Sequence, residues 1–196
     1  MSVAIIDTGC ANIASLVFAF ARLGAEARPT ADWREIASAE RVVLPGVGAA
    51  GHAIENLGRA GLFEKIPGLR QPVLGVCLGM QLLYEYTEEG DFAGLGVFDG
   101  RVVRLASGPG LRTPHMGWSA VRRVADGPLV DGIEGGAYFY FLHSFAAPVS
   151  DDTALAAEHG ATFTAAAARG NFFGCQFHPE RSGAAGARVL RNFLEL

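Results

Sequence analysis

The sequence reads PVLGVCLGMQLLYEY over residues 72–86, and this stretch decides the fold. Its first half is an uninterrupted apolar run, typical of a strand that is buried on both faces. Its second half has the pattern of a helix, predicted to run to Tyr86. Similar apolar runs stand at 3–6 and 42–44, and the first is followed by apolar residues at helical spacing over 13–23. Buried strands that alternate with helices predict a parallel sheet.

The second half of the chain has a different pattern. Short strand-like segments separated by Gly-rich turns occur at 97–105, 138–142, 154–159 and 172–177. Apolar residues at helical spacing predict a closing helix over 184–194. The sequence therefore predicts one α/β domain over 1–196, with a central, mostly parallel sheet flanked by helices and with added antiparallel strands.

Composition limits the possible functions. The chain has 196 residues, suitable for one domain, and a net charge of −4 with scattered basic residues, which argues against binding nucleic acid or an anionic membrane. No apolar stretch reaches the roughly 20 residues that span a bilayer, so a cytoplasmic protein is expected. The cysteines number three, which argues against a disulfide framework. A small polar substrate or a protein partner fits this composition.

The segment 75–81 places Cys77 between two glycines, where a strand ends and a helix begins. This is the pattern of a nucleophile elbow, in which glycines let the backbone pass a sharp turn. The helix N-terminus favours a thiolate, and the N–H of Leu78 can stabilise an oxyanion. A free cysteine is more often a small buried apolar residue, so Cys77 alone is weak evidence for catalysis.

A second segment, Gln176 to Glu180, supplies a base and a carboxylate. His178 and Glu180 are two apart, so in extended backbone they lie on one side, and Pro179 restricts the turn between them. Glu180 can then hold the imidazole of His178 and stabilise its protonated form as Cys77 loses a proton. Alone, such a segment is more often a turn with a solvated carboxylate, but together with the elbow it predicts a Cys-His-Glu triad.

The other cysteines and histidines are weaker candidates. Cys175 lies in an apolar strand and Cys10 in a loop, and both are interpreted as structural. His143 is retained as a candidate because it follows a predicted strand, whereas a lone histidine is usually a packed or surface residue. Neither a metal-binding cluster nor a phosphate-binding loop is recognisable, so the predicted chemistry needs no cofactor.

Both motifs together, Gly-x-Cys-x-Gly-x-Gln at 75–81 and His-x-Glu at 178–180, resemble the class I glutamine amidotransferases. The resemblance covers essentially the whole chain and implies a flavodoxin-like fold. Within that family, the chain is most similar to the glutaminase subunits of imidazole glycerol phosphate synthase in histidine biosynthesis. This implies hydrolysis of L-glutamine and transfer of ammonia, in a heterodimer, to a cyclase subunit. The cyclase makes imidazole glycerol phosphate and an aminoimidazole carboxamide ribonucleotide.

The resemblance also implies which residues bind glutamine. Pro45 to Gly48 is similar to the loop that completes the oxyanion site, and the strand over 140–145 is similar to one whose backbone contacts substrate. The implied oxyanion and substrate-binding residues are Gly46, Val47, Gly48, Leu78, Gln81, His143, Ser144 and Phe145.

The segment Pro114 to Trp118 is similar to the one through which such subunits meet the cyclase. The implied partner-interface residues are Asn12, His115, Met116, Trp118, Tyr140 and Arg181. Three positions depart from the family pattern: Thr8 and Ala11 replace a tyrosine and a glycine, and Arg181 stands where lysine is common.

Two other functions remain possible from sequence. A different cysteine hydrolase, such as a γ-glutamyl peptidase, could use the same triad without ammonia transfer, although it leaves the segment 114–118 unexplained. A non-catalytic binding module could keep the same fold, although the intact triad residues argue against it.

Overall fold

The chain forms a three-layer α/β structure in a computed structural model that describes residues 1–9, 13–46, 48–108 and 110–196. The strands of these residues are β1 (Ser2–Ile6), β2 (Glu26–Thr30), β3 (Arg41–Leu44), β4 (Val73–Val76), β5 (Tyr84–Thr87), β6 (Phe92–Ala93), β7 (Phe98–Arg104), β8 (His115–Ala120), β9 (Arg122–Arg123), β10 (Tyr138–His143), β11 (Phe145–Ala146), β12 (Thr153–His159), β13 (Ala161–Arg169) and β14 (Phe172–Cys175). The α-helices are α1 (Ile13–Arg22), α2 (Trp33–Ser38), α3 (Ala50–Arg59), α4 (Leu78–Leu82) and α5 (Gly183–Glu195). None of them is long and apolar enough to cross a lipid bilayer.

The main sheet has the strand order β2-β1-β3-β4-β14-β13-β12-β9. The first five strands pair in parallel, and the last three join antiparallel. The predicted central parallel sheet with added antiparallel strands is therefore confirmed. Two smaller sheets, β10-β8 and β11-β7-β5-β6, lie beside it.

Alternate residues of each buried strand face opposite layers of helices. On β1, Val3 and Ile5 pack in a core with α1 and α5, whereas Ala4 and Ile6 pack in a core with α2, α3 and α4. Burial of each valine or isoleucine side chain in these cores contributes about 1.5–3 kcal/mol. Because helices cover both faces of the sheet, these strands are continuous apolar runs and do not alternate apolar with polar residues.

The prediction that a helix continues to Tyr86 was wrong. Helix α4 ends at Leu82, and Tyr84 already begins strand β5. The carbonyl of Leu83 accepts the N–H groups of Val97 and Phe98, at 2.8 and 2.9 Å. These non-local bonds direct the chain into β5 of the sheet β11-β7-β5-β6. The apolar residues that continue the helical pattern therefore pack in that sheet and not in a helix.

The carboxyl ends of adjacent parallel strands place the chemically interesting segments together. Strand β3 leads to Gly46 and Gly48, β4 leads to Cys77, and β14 leads to His178. In open α/β sheets this edge is where ligands bind, because the loops that follow the strands converge there.

Candidate active site

Cys77 occupies a strained turn between β4 and α4. Its φ of 53° and ψ of −110° place it in a region that side-chain-bearing residues rarely adopt. A Cβ on Gly75 would lie 2.7 Å from the Cα of Met80, and one on Gly79 would lie 1.8 Å from the carbonyl oxygen of Leu44. Only glycine fits either position, so the two glycines that flank the cysteine are what allow the sharp turn.

The same turn exposes a backbone donor. Leu78 is the first residue of α4, so its N–H has no acceptor within the helix. Gly46 packs under this turn, since a Cβ there would meet the Cβ of Leu78 at 2.6 Å. The end of β3 is thereby fixed against the elbow, and the loop that contains Gly48 lies beside the cysteine.

His178 and Glu180 form a buried ion pair next to Cys77. The Nδ1 of His178 lies 3.0 Å from the Oε1 of Glu180, and each side chain is 7% exposed. Burial alone lowers the pKa of His178, but hydrogen bonds with Cys77 and Glu180 outweigh it and raise the pKa to about 10. Nδ1–H therefore donates to the carboxylate, and the Nε2 side of the ring is left for the sulfur.

The backbone between these two residues differs from the expected extended form. Pro179, Glu180 and Arg181 form one turn of 3₁₀ helix after an extended His178. The turn is anchored because the hydroxyl of Ser182 donates to the carbonyl of His178 at 2.7 Å. This helical turn, and not an extended backbone, places the Glu180 carboxylate against the imidazole of His178.

A cavity of about 230 Å³ opens over the sulfur. The predicted site residues among its lining are Gly48, Cys77, Leu78, Gln81, His143, Ser144, Phe145 and His178. Gly46 lies below the cavity, and Val47 falls outside the described residues. The cavity is lined by both polar and apolar groups around one nucleophile, as expected of a small-molecule site.

The cavity also contains Glu89, which sequence reasoning missed, and Pro114 and Leu142, which lie in the segments 114–118 and 140–145 but were not themselves predicted as site residues. Glu89 is a half-buried carboxylate whose pKa is raised by burial, although the N–H of Ala50 donates to it. Glu89 follows β5 in an exposed acidic turn and belongs to no motif. The sheet β11-β7-β5-β6 lies beside the elbow and places Glu89 at the cavity. No local sequence signal could have predicted this position.

Two buried histidines form a hydrogen-bonded pair at the cavity wall. His143 Nδ1 lies 2.8 Å from the carbonyl oxygen of Phe145, and its Nε2 lies 3.1 Å from the Nδ1 of His115. Since a carbonyl only accepts, His143 carries its proton on Nδ1, and His115 donates from its own Nδ1. Nε2 of His115 then accepts from the hydroxyl of Ser119 at 2.8 Å.

Both histidines are held neutral. Burial, and then the neighbouring His159, lowers the pKa of His115 to about 4. Burial lowers the pKa of His143 to about 3, against the hydrogen bond to Phe145 and with the help of His115, His159 and His178. The pair is therefore uncharged at neutral pH and orients the backbone that lines the cavity.

The predicted partner-interface residues divide between two faces of the β8–β10 ribbon. Met116 and Trp118 point outward, with 67% and 54% of their surface exposed, and Trp118 packs edge-on against Tyr140 at 6.1 Å. His115 points inward, contrary to its predicted place at the interface, because successive side chains of a strand alternate between faces.

The remaining interface predictions concern the rim of this ribbon. The guanidinium of Arg181 lies over the ring of Tyr140 at 6.0 Å. Asn12, like Ala11 and Cys10, falls outside the described residues, whereas Thr8 is buried. Leu142 and Tyr138 extend the outward face of β10 and are exposed.

The two cysteines in the described ranges, Cys77 and Cys175, are free and buried. Burial, and then the nearby Glu180, raises the pKa of the Cys175 thiol well above its usual value, so this thiol is unreactive. Among the described residues, no group of three or more His, Cys, Asp or Glu side chains could hold a metal ion.

Comparisons with known proteins agree with this geometry. The family pattern "Glutamine amidotransferase class-I" matches residues 4–196. "Imidazole glycerol phosphate synthase subunit HisH" of Xylella fastidiosa is 48% identical over 99% of this chain and 97% of its own. The protein of the same name from Haemophilus influenzae is 47% identical over 100% and 98%.

Solved structures agree in fold. A structure of PurLQS from Thermotoga maritima has a TM-score of 0.73 at 19% identity, covering 99% of this chain and 97% of that one. A glutamine amidotransferase crystal structure has a TM-score of 0.75 at 18% identity, covering 98% and 97%. The chain therefore belongs to the class-I glutamine amidotransferase family and, within it, to the family of the HisH subunits of imidazole glycerol phosphate synthase.

Proposed function

We propose that this chain is the glutaminase subunit of an imidazole glycerol phosphate synthase. It hydrolyses L-glutamine to glutamate and ammonia and passes the ammonia to a cyclase subunit, which makes imidazole glycerol phosphate and an aminoimidazole carboxamide ribonucleotide. The observation that carries the proposal is Cys77 on a strained elbow next to the His178–Glu180 pair, in a chain whose relatives are named as HisH subunits over nearly their full length.

Acylation begins with Cys77 as a thiolate and His178 protonated. The sulfur attacks the side-chain amide carbon of glutamine, and the carbonyl electrons move onto the oxygen. When this intermediate collapses, the C–N bond breaks and His178 gives its proton to the nitrogen, which leaves as ammonia. Glu180 keeps the imidazole oriented and stabilises its charge, since its Oε1 lies 3.0 Å from Nδ1.

Deacylation uses the same groups, but His178 now accepts a proton instead of donating one. Neutral His178 takes a proton from water, the hydroxide attacks the γ-glutamyl thioester, and the C–S bond breaks to restore the thiolate. In both steps the oxygen carries negative charge, and the N–H groups of Leu78 and of the loop 46–48 are the proposed donors to it. All groups in these steps belong to the protein, the substrate or water.

The lining of the cavity suggests how glutamine is held. Glu89 supplies a carboxylate for the α-ammonium group of the substrate. Both N–H bonds of the Gln81 side chain are already used, by Phe145 and Gln176, so its remaining polar atom, Oε1, is the one available to accept from substrate. The polar backbone of 143–145 completes the lining.

We place the cyclase on the outward face of the β8–β10 ribbon. Met116 and Trp118 offer exposed apolar and aromatic surface, the composition of an interface core, and the half-buried Tyr140 packs beside Trp118. Arg181 offers a charged group at the rim. Asn12 is proposed to join this interface. A sealed heterodimer keeps ammonia away from bulk water, where it would be protonated and lost.

The cellular location is proposed to be the cytoplasm. A nucleophilic thiol must stay reduced, and the glutathione and thioredoxin systems of the cytoplasm keep it so.

The test is glutamate release from glutamine by the purified chain, alone and with a cyclase subunit loaded with its nucleotide substrate. We expect activity that rises strongly with the loaded partner and disappears in Cys77→Ala. The matched control is Cys175→Ala, which removes a buried thiol outside the cavity and retains activity. A high rate that the partner does not change would instead favour an independent hydrolase, and no activity in any mixture would favour a binding module.

A further inference from the structure

Gln176 lies directly beneath the reactive sulfur but has no part in the chemistry described so far. It follows β14, two residues before His178, and only 1% of it is exposed. Its backbone is fixed, since its N–H donates to the carbonyl of Ala165 at 2.9 Å. Its side-chain Nε2 lies 3.6 Å from the Sγ of Cys77.

The hydrogen-bond network determines which end of this amide meets the sulfur. The carbonyl of Phe145 can only accept, so the Gln81 atom 2.7 Å from it must be Nε2. The second N–H of that nitrogen points to Gln176 at 2.9 Å, and the atom it meets must be an acceptor, Oε1. Nε2 of Gln176 is then the end that faces Sγ.

The Phe145 carbonyl is itself held in place from its other side. It also accepts the Nδ1–H of His143 at 2.8 Å. Two donors converge on one oxygen, so the starting point of the network cannot rotate without losing both. The orientation of Gln176 therefore follows from fixed backbone, not from a freely chosen amide rotamer.

We infer that Gln176 is a further catalytic residue, whose side-chain N–H donates to the Cys77 sulfur and stabilises the thiolate. This rests on the proposed function, in which Cys77 is the nucleophile. A hydrogen bond to an ionised acceptor is about twice as strong as one between neutral groups, so the contact favours the thiolate over the thiol.

The other contacts of the sulfur do not replace this donor. The carbonyl of Leu142, at 3.7 Å, can accept from a thiol but offers nothing to a thiolate. His178 gives up its proton to the departing ammonia, whereas Gln176 keeps its N–H throughout. Gln176 therefore also stabilises the thiolate as it leaves the thioester in the second step.

The test measures the sulfur directly, without glutamine or a partner. Alkylation of Cys77 by iodoacetamide is followed by mass spectrometry of its peptide, which separates it from Cys10 and Cys175. In Gln176→Met, which keeps the side-chain length but has no N–H, we expect alkylation about tenfold slower at pH 7. At pH 10, where thiols ionise without help, the rate should match the unmodified chain within about twofold.

Two further variants serve as controls: one for the effect of replacing a glutamine by methionine, and one for failure of Gln176→Met to fold. Gln71→Met makes the same replacement at an amide that bonds to the carbonyl of Ile36, far from the sulfur, and should alkylate like the unmodified chain. Gln81→Met leaves Gln176 in place but removes the contact that orients it, so it should also be slower at pH 7 and not at pH 10. It decides the matter if Gln176→Met does not fold.

Equal rates for Gln176→Met and the unmodified chain at pH 7 would overturn the inference. So would an equal slowing at both pH values, because that indicates restricted access of the reagent. If the pH-dependent effect appears in a chain that does not hydrolyse glutamine, the proposed function fails while the hydrogen bond stands. If the chain hydrolyses glutamine but Gln176→Met shows no pH-dependent slowing, the proposed function stands and Gln176 has no part in it.

Discussion

Lowering the pH from 7 to 5 should destabilise this fold through the buried pair His115 and His143. In the folded chain their pKa values lie at about 4 and about 3, whereas an unfolded histidine titrates near about 6.5. The unfolded chain therefore binds protons first as the pH falls. The stabilising contribution of the pair is complete above the unfolded pKa and is lost progressively below it, until the folded values are reached.

The size of the effect follows from proton linkage. Each proton bound only by the unfolded state changes the free energy of unfolding by about 1.4 kcal/mol per pH unit. From pH 7 to 5 each histidine thus costs about 2 kcal/mol, and the pair about 4 kcal/mol. Domains of ordinary size have total stabilities of about 5–15 kcal/mol, so the loss is easily measured.

The assay is urea unfolding at pH 7, 6 and 5, comparing the unmodified chain with His115→Phe. The phenyl ring keeps the stacking on Phe141 but cannot titrate, and every other titrating group is common to both chains. We expect the variant to be less stable at pH 7, because His143 and Ser119 lose a partner, yet to lose about 2 kcal/mol less between pH 7 and 5. Equal losses in the two chains, or histidine proton NMR signals of the pair that titrate near 6.5, would refute the reasoning.

Three further substitutions test the elbow at Cys77, the His178–Glu180 ion pair and the outward face of the β8–β10 ribbon. Gly79→Ala places a Cβ 1.8 Å from the Leu44 carbonyl oxygen and should cost at least about 3 kcal/mol in urea unfolding; unchanged stability would contradict the packing. Glu180→Gln removes the charge at His178, and we expect glutaminase kcat to fall about 10²-fold, with unaltered kcat as the contrary result. Trp118→Ala should weaken cyclase binding by about 2 kcal/mol in calorimetry without changing the fold, and unchanged affinity would place the partner elsewhere.

The parallel half of the fold and the reactive residues were predictable because each has a local signature. Strands buried on both faces read as continuous apolar runs, and the glycines around Cys77 mark a turn that other residues cannot make. His178 and Glu180 are neighbours in sequence, so their contact needs no knowledge of the rest of the fold.

Much of the antiparallel half was not predictable, because tertiary pairing overrides local preference there. Strand β13 (Ala161–Arg169) contains a run of alanines, which favour helix in isolation, yet it pairs with β12 and β14 and presents small side chains to a crowded core. Strand β8 was recognised as a segment but not as a strand, and the inward direction of His115 was missed for that reason.

The non-local contacts of the site were also beyond sequence reasoning. His115 and His143 are separated by 28 positions and Gln176 and Cys77 by 99, and neither distance leaves a periodic trace in the chain. Glu89 reaches the cavity only because strand β5 replaces the helix that the pattern predicts.

The most direct test of the central claim follows the nitrogen itself. The chain and its loaded cyclase subunit are given glutamine labelled with ¹⁵N in the side-chain amide, in the presence of excess unlabelled ammonium, and imidazole glycerol phosphate is analysed by mass spectrometry. The account predicts product that carries the label despite the unlabelled pool, and no labelled product with Cys77→Ala. Product with unlabelled nitrogen, formed at the same rate with and without the chain, would contradict it.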